Sequence, residues 1–140
     1  MTDCVFCAIV AEDVPSHTVH ETPDALAFLD ANPLAKGHTL VVPKAHYEQL
    51  DDVPAETASG FYDAVHDVVP AVEAAVDAPA TTVAVNNGEA AGQEVPHVHA
   101  HIVPRFEDDA AGPIHALFRG RPTVSKDEHT TLADAIVDHL

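Results

Sequence analysis

Short apolar runs of four to seven residues occur at five places in this chain. Valine, isoleucine, leucine and phenylalanine are concentrated there, in several runs in alternation with polar or small residues, and most of the runs are bounded by proline, glycine or aspartate. Such alternation is typical of half-buried β-strands, because successive side chains point to opposite faces of a sheet. The pattern predicts strands over residues 18–21, 25–30, 38–43, 81–85 and 97–103.

A longer segment between the third and fourth strands has the three- and four-residue period of an amphipathic helix. Pro54 and the acidic residues before it mark the start of this helix. Pro70 lies inside the pattern and is expected to kink or split the helix, because proline removes a backbone hydrogen bond and clashes with the preceding turn. The apolar stripe consists of Ala58, Phe61, Val65, Val68, Val69, Val72 and Val76.

Two shorter helical stretches lie near the chain ends, at residues 4–10 and 132–137. Connections between paired strands are short, which favours antiparallel pairing, and no repeat or low-complexity linker interrupts the chain. The sequence therefore predicts an α+β fold, an antiparallel five-stranded sheet with one long helix and a C-terminal helix. With 140 residues, we expect a single domain over residues 1–140.

The chain is strongly acidic, with 23 Asp and Glu residues against 6 Lys and Arg residues and a formal net charge of −17. Such a surface repels phosphate backbones, which argues against a DNA or RNA partner. The acidic residues are scattered between apolar runs, as in a solvated shell and unlike a disordered tail. We hypothesise a salt-adapted, halophilic protein.

The chain begins without a basic or apolar leader, and no stretch has the run of apolar residues that crosses a bilayer. We therefore expect a cytoplasmic protein with no membrane partner. Its two cysteines, Cys4 and Cys7, are three positions apart. This spacing suits metal binding or redox chemistry better than a structural disulfide.

Three histidines, His97, His99 and His101, alternate with apolar residues in the fifth predicted strand. On one face of a strand, neighbouring imidazoles would lie about 7 Å apart. Because the chain has 11 histidines, a solvated cluster is the simplest interpretation. Two functional interpretations are a catalytic zinc with three histidine ligands, or one imidazole that attacks phosphorus while its neighbours handle protons. The polar loop at 86–94 favours function, since its glycines let backbone N–H groups approach an anion.

Residues 86–105 closely resemble the motif of the histidine triad (HIT) family, with Asn-Asn-Gly, Gly-Gln-Glu-Val-Pro and His-Val-His-Ala-His-Ile-Val-Pro-Arg in order. The family's order and spacing continue upstream in the segments at 4–7, 14–15, 27–30 and 37–46. The resemblance covers residues 4–105 and leaves 106–140 as a variable C-terminal segment. It implies a HIT-like fold and a homodimer formed through the long helix and a central strand.

The resemblance implies cleavage at the α-phosphate of purine nucleotide derivatives through a nucleotidyl-histidine intermediate. The substrates would be phosphoramidates, dinucleoside polyphosphates or adenylylated molecules. In this interpretation His99 is the nucleophile, His101 helps to place the phosphate and the leaving group, and His38 faces the same site. The implied nucleotide-binding residues are Phe6, Ile9, Val14 and Phe28 around the base, Asp30 at the ribose, and Asn86, Gly92 and Gln93 at the phosphate.

Glu94 departs from the family pattern, because many relatives carry a Ser or Thr hydroxyl against the phosphate at this position. A carboxylate facing an anionic phosphate would be repulsive. Glu94 is therefore expected either to turn away from the nucleotide or to present only its backbone N–H.

The resemblance also implies a structural zinc bound by Cys4, Cys7, His46 and His97. Such a closed Cys₂His₂ set would fix the N-terminal turn to the third and fifth strands without activating water. Two packed thiols or a redox pair are the alternatives for the cysteines. For the whole chain, three hypotheses stand: a nucleotide hydrolase or transferase, a zinc-stabilised nucleotide-binding interaction module with little turnover, and a metallohydrolase that uses the three histidines as ligands.

Overall fold

Five strands form one antiparallel sheet in the computed structural model of the protein, which describes residues 3–140. The strands are β1 (Thr18–Glu21), β2 (Ala25–Leu29), β3 (Thr39–Pro43), β4 (Ala80–Val85) and β5 (Ala100–Arg105). Their order across the sheet is β1-β2-β3-β5-β4, and every neighbouring pair is antiparallel. The predicted α+β fold class is confirmed.

The long helix α2 (Ala55–Val76) covers one face of the sheet. Its stripe of Phe61, Ala64, Val65, Val68 and Val72 is buried against small and branched strand residues such as those at 27, 41, 100 and 102. The helix is not split at Pro70, contrary to one of the two expected outcomes. Pro70 lies on the exposed side of the helix, where water can satisfy the carbonyl that the proline leaves without a donor.

The opposite face of the sheet is covered by the short helix α1 (Val5–Val10). Its Phe6 is 6% exposed and packs with Phe28 of β2 at a ring-centroid separation of 5.6 Å. The same face of the sheet includes Leu40 and His101, because Phe28 of β2 pairs with Leu40 of β3, and Leu40 pairs with His101 of β5. Directly paired residues share a face, so the apolar layer under α1 leads across the sheet to a histidine.

Strand β5 begins at Ala100, three residues later than predicted. Before that point the backbone pairs elsewhere, because the Val98 N–H donates to the Tyr47 carbonyl and the His97 N–H to the Val95 carbonyl, both at 2.8 Å. The predicted strand bounds are therefore wrong. The three imidazoles still lie on the α1 side, because His97 and His99 contact Phe6 and His101 contacts His99. The residues between and after them, Val98, Ala100 and Ile102, lie in the core under α2. Of the three histidines, only His101 lies on the strand.

The chain forms two compact units, one ending at Asp109 and one running from Ala110 to Leu140. The single-domain expectation for 1–140 stays a prediction. The second unit contains the helix α3 (Lys126–Asp138), which begins six residues before the predicted 132–137. Ser125 and Glu128 form a capping box at its start, where the Glu128 N–H donates to the Ser125 hydroxyl at 3.1 Å. Across residues 3–140, none of the helices combines the length and hydropathy needed to cross a bilayer.

Candidate functional site

Cys4, Cys7, His46 and His97 converge under the N-terminal turn. The Cys4 sulfur lies 3.3 Å from His97 Nδ1, and the Cys7 sulfur lies 3.3 Å from His46 Nδ1 and 3.6 Å from His97 Nδ1. All four ligand atoms lie within 4.8 Å of one another. Tetrahedral zinc, with bonds of about 2.3 Å to sulfur and 2.0–2.1 Å to nitrogen, places such atoms roughly 3.5 Å apart. The set therefore fits a tetrahedral metal ion.

The outer hydrogen bonds of this cluster favour metal binding as well. His97 Nε2 lies 2.8 Å from the Pro43 carbonyl, which only accepts, so Nε2 carries the proton and Nδ1 turns its lone pair to the sulfurs. The Cys7 N–H donates to the Cys4 sulfur at 3.4 Å, which holds the two cysteines of the turn together. Burial lowers the pKa of His97, so the ring is neutral, as a ligand must be.

His99 is held by its own chain. Its Nδ1 lies 2.8 Å from the main-chain carbonyl of His97. Because a carbonyl cannot donate, Nδ1 carries the proton and the lone pair of His99 is on Nε2. The ring is 6% exposed and contacts Phe6 and His101 at centroid separations of 5.1 and 5.0 Å. The geometry leaves one nitrogen of His99 available as a nucleophile or base.

His38 and His101 form a directional pair. The Leu34 N–H donates to His38 Nδ1 at 3.0 Å, so the proton of neutral His38 is on Nε2. That Nε2 lies 3.0 Å from His101 Nδ1, which accepts the hydrogen bond and leaves the proton of neutral His101 on its own Nε2. The chain of donors runs from the Leu34 backbone through His38 to His101.

Burial and charge keep this pair neutral. Burial lowers the pKa of His38, and the Asp30 carboxylate, 3.6 Å from His38 Nε2, opposes the shift. Burial also lowers the pKa of His101, and the neighbouring His99 and His38 add to the effect, so that it falls to about 4. At neutral pH the pair donates hydrogen bonds without carrying a full positive charge.

Asp30, His38 and His101 are the second group among residues 3–140 whose spacing could hold a metal ion. The proton positions argue against one, because a ligand nitrogen must be bare and Leu34 holds the His38 proton on the nitrogen that faces the cluster. A single metal held by the three histidines of the motif finds no support either. The rings of His97 and His99 direct their nitrogens to different partners.

The residues predicted to surround the base lie together beside α1. Phe6 and Phe28 belong to the apolar cluster under the helix, with Phe28 3% exposed, and Ile9 packs against that cluster while partly buried. Val14 is half-buried in the loop after α1. Asp30 follows β2 directly, and one of its carboxylate oxygens accepts the Asn32 N–H at 2.9 Å. Their nucleotide-binding roles stay predictions.

The loop before the histidine motif is held by Gln93. Its side-chain oxygen accepts the Gly88 N–H at 2.8 Å, and its side-chain nitrogen donates to the carbonyls of Glu48 and Val95 at 2.6 and 3.0 Å. The predicted place of Gln93 in the phosphate-binding loop stays a prediction. Its polar atoms are already engaged, and Gln93 shapes the loop.

The other predicted loop residues remain accessible to a ligand. Asn86 is half-buried, and within residues 3–140 its side chain has no hydrogen-bond partner. Gly92 has a φ of 97°, a left-handed conformation that favours glycine, and it ends a 3₁₀ turn over Glu89–Ala91. Glu94 is exposed and lines a cavity of about 400 Å³ together with Cys4 and His46.

Sequence reasoning missed the backbone partners that set the proton on each ring. These are the carbonyls of Pro43 and His97 and the N–H of Leu34. Every residue type carries the same main-chain groups, so no signal in the sequence marks them. The contact between Phe6 and His99 could have been predicted from the sequence. Phe6 lies between Cys4 and Cys7, and a metal bound by these cysteines and His97 would bring Phe6 close to the histidine motif.

The fold and the two histidine clusters define a protein of the histidine triad class, and comparison with known proteins gives the family. The family model described as HIT domain matches residues 11–108. This chain belongs to the HIT family.

Two of the similar proteins are enzymes with named activities. An adenylylsulfatase of Arabidopsis thaliana is 36% identical over 138 residues, covering 99% of this chain and 70% of that protein. An adenosine 5′-monophosphoramidase of Saccharomyces cerevisiae is 38% identical over 105 residues, covering 75% and 64%. An uncharacterised HIT-like protein of Methanocaldococcus jannaschii is 45% identical over 106 residues, covering 76% and 81%.

Solved structures agree with the fold. A HIT family member from Bacillus subtilis superposes with a TM-score of 0.89 at 34% identity, covering 99% of this chain and 98% of that one. A zinc-bound histidine triad family protein from Mycobacterium smegmatis superposes with a TM-score of 0.74 at 37% identity, covering 91% and 87%.

Proposed function

We propose that the protein is a nucleotide hydrolase or transferase that acts at the α-phosphate through a nucleotidyl-His99 intermediate. The observation that carries the proposal is the hydrogen bond from His99 Nδ1 to the His97 carbonyl, since it leaves the Nε2 lone pair for attack. His99 Nε2 bonds to phosphorus as the bond to the leaving group breaks. Water then attacks the same phosphorus, and the nucleoside monophosphate departs with restoration of His99.

His101 and His38 provide a hydrogen-bond donor in this proposal. Neutral His101 carries a proton on Nε2 while its Nδ1 accepts from His38. As negative charge develops on the leaving group, the His101 Nε2–H donates a hydrogen bond to it, and the hydrogen bond from His38 holds the ring in the required orientation. The departing group takes its proton from solvent, and in the second step the attacking water releases a proton to solvent.

Purine nucleotide derivatives are the proposed substrates. The apolar surfaces of Phe6 and Ile9, with Val14 in the loop after α1, suit a base. The Asp30 carboxylate accepts the Asn32 N–H through one oxygen and faces His38 at 3.6 Å with the other, and its remaining lone pairs suit the ribose hydroxyls. The side chain of Asn86 is available to a phosphate oxygen. The activities named for the Arabidopsis and yeast relatives support substrates in which an adenylyl group is joined to sulfate through a P–O–S bridge or to an amine through a P–N bond.

A zinc ion at Cys4, Cys7, His46 and His97 has a structural role in the proposal. All four ligand positions are filled by protein atoms, so the ion would stabilise the N-terminal turn and would not activate water. The zinc-bound relative supports this assignment.

A homodimer is the proposed assembly. Strand β4 is an edge of the described sheet, and its Val83 is 46% exposed; Tyr62 on α2 is 45% exposed. An unpaired edge strand with exposed apolar residues invites pairing with a second copy. Light scattering after size exclusion tests this, and a monomer at all concentrations would contradict it.

Turnover of an adenosine phosphoramidate by the purified protein tests the proposed function. His99→Ala should remove turnover, whereas the control His66→Ala should leave it unchanged, because His66 is an exposed helix residue with a side chain 87% exposed. Turnover that survives in the His99 variant would contradict the proposal. Binding of AMP without turnover of any nucleotide would instead favour the interaction module.

A further inference from the structure

The two ligands Cys4 and Cys7 flank Phe6, whose ring lies between the metal cluster and the nucleophile. Phe6 is 6% exposed. The centroid of its ring lies 5.9 Å from that of His97 and 5.1 Å from that of His99, and both contacts are edge to face. Such edge-to-face contacts depend on the orientation of both rings. The turn that holds the metal therefore also holds one side of His99.

A second connection runs through His97. Its side chain presents Nδ1 to the sulfurs of both cysteines, while its main-chain carbonyl accepts the proton of His99 Nδ1 at 2.8 Å. A residue fixed through its side chain also has its carbonyl fixed in direction. Because the chain at His97 and His99 is outside the β5 ladder, strand pairing does not provide this constraint.

We propose that the Cys4–Cys7 turn positions the nucleophile, with Phe6 and the main chain of His97 as positioning residues that transmit metal binding to His99. Metal binding at the turn holds His99 with its proton on Nδ1 and its lone pair on Nε2. Without the metal, His97 keeps its hydrogen bond to the Pro43 carbonyl but loses its link to the two sulfurs. Its own carbonyl is then held less firmly, and His99 samples both tautomers. The catalytic consequence rests on the proposed function, whereas the tautomer of His99 does not.

Histidine ¹⁵N NMR of the full chain measures the tautomer directly, in zinc-loaded, metal-free and cadmium-reloaded protein. We expect the Nδ1–H form of His99 in the two loaded samples and a mixture of tautomers in the metal-free one. Cadmium should restore the tautomer and the rate of adduct formation together, because a closed site provides geometry and no activated water. An unchanged His99 tautomer in folded metal-free protein would overturn the proposal.

Phe6→Leu tests the same route with the metal in place, and it decides the matter if the metal-free chain does not fold. The variant should bind one zinc per chain, show mixed His99 tautomers, and form adduct about 10- to 100-fold more slowly at saturating nucleotide. The matched control is Phe28→Leu, which removes a ring from the same apolar cluster. Phe28 contacts Phe6, and no ring contact joins it to His99 in the described residues, so the tautomer should not change.

Three results separate the possible failures. If Phe6→Leu keeps the tautomer and the adduct rate, Phe6 is an ordinary core residue and the proposal is wrong. If both phenylalanine variants change the tautomer equally, the effect is general loss of packing and the proposal is also wrong. If wild-type protein forms no adduct with any nucleotide while metal removal still shifts the tautomer, the positioning stands and the proposed function fails.

Discussion

Two clusters of ligand-type side chains lie at opposite ends of the histidine motif, and they differ in where one proton is held. At Cys4, Cys7, His46 and His97, the Pro43 carbonyl draws the His97 proton away from the cluster. At Asp30, His38 and His101, the Leu34 N–H holds the His38 proton towards the cluster. The first arrangement presents bare nitrogen to a metal ion, and the second presents a donor to a neighbouring ring.

The comparison shows that spacing alone does not define a metal site. Both groups bring three or more ligand atoms within 4.8 Å of one another. A main-chain acceptor behind one ring and a main-chain donor behind another give them opposite chemistry. One end of the motif therefore fits a metal ion, and the other presents a hydrogen-bond donor to a neighbouring ring.

The largest expected effect is on metal binding. Cobalt titration should saturate at one ion per chain with a thiolate charge-transfer band, and Cys7→Ala should remove it. Bound metal should stabilise the protein by about 4 kcal/mol when its free concentration is 1,000 times Kd. Asp30→Asn is the control and should still bind one ion. A second cobalt without a thiolate band, lost in Asp30→Asn, would show that the second cluster binds metal after all.

His38→Gln should lower kcat by about 10²-fold while zinc content stays at one per chain, because the variant removes a ring that orients His101 and leaves the Cys₂His₂ set intact. Asp30→Asn is the comparison variant and should raise KM for the nucleotide more than it lowers kcat. Steady-state kinetics and metal analysis on the same samples make the measurement. An unchanged kcat in His38→Gln would show that the donor chain has no part in turnover.

Stability of the metal-free protein should fall as the pH drops below 6.5. The lowered pKa values of His38, His97 and His101 keep these rings neutral in the fold, whereas the unfolded chain takes up protons from the ordinary value of 6.5 downward. The effect extends from pH 6.5 down to the pKa of each histidine in the folded protein, which is about 4 for His101. Over that range each such histidine lowers the free energy of unfolding by up to about 1.4 kcal/mol for every unit by which the pH falls.

Urea unfolding at several pH values measures this dependence. His101→Asn should flatten the decline below pH 6.5, and the exposed His66→Asn should leave it unchanged. Equal slopes in wild type and His101→Asn would show that His101 is not held neutral by the fold.

The smallest expected effect concerns Glu94. Its side chain is exposed, so water and salt screen its charge from a bound phosphate. Glu94→Ser should therefore lower KM by less than about threefold, and Glu89→Ser in the same loop should behave alike. A tenfold change confined to Glu94→Ser would place this carboxylate against the phosphate.

Much of the fold could be predicted from the sequence. The apolar patterns of strands and the three- to four-residue apolar period of helices are properties of the side chains, and the sequence lists the side chains directly. The stripe from Phe61 to Val72 and the apolar cores of β2 and β3 follow directly from such patterns. The start of β5 could not be predicted in this way, since alternation continues through His97 and His99 while their backbone groups pair outside the sheet. The start of α3 carried a readable signal in the Ser125 and Glu128 capping box, but the apolar period alone does not include it.

The candidate site also has a part that the sequence predicts and a part that only the fold determines. The residue types that suit a metal or a nucleophile are visible in the chain, and the resemblance groups Cys4, Cys7, His46 and His97 as the structure does. The proton on each imidazole depends on main-chain groups that come close only in the fold. Those protons decide which cluster binds metal and which nitrogen of His99 is free to react.

Mass spectrometry of the adduct tests the central claim most directly. Wild-type protein is mixed with an adenosine phosphoramidate, quenched within a turnover at high pH, where phosphorus–nitrogen bonds to histidine survive, and digested. The account predicts one adenylyl group per chain on His99, absent in His99→Ala and present in His66→Ala. An adenylyl group on His101 or another residue, or turnover with no adduct at any time point, would contradict it.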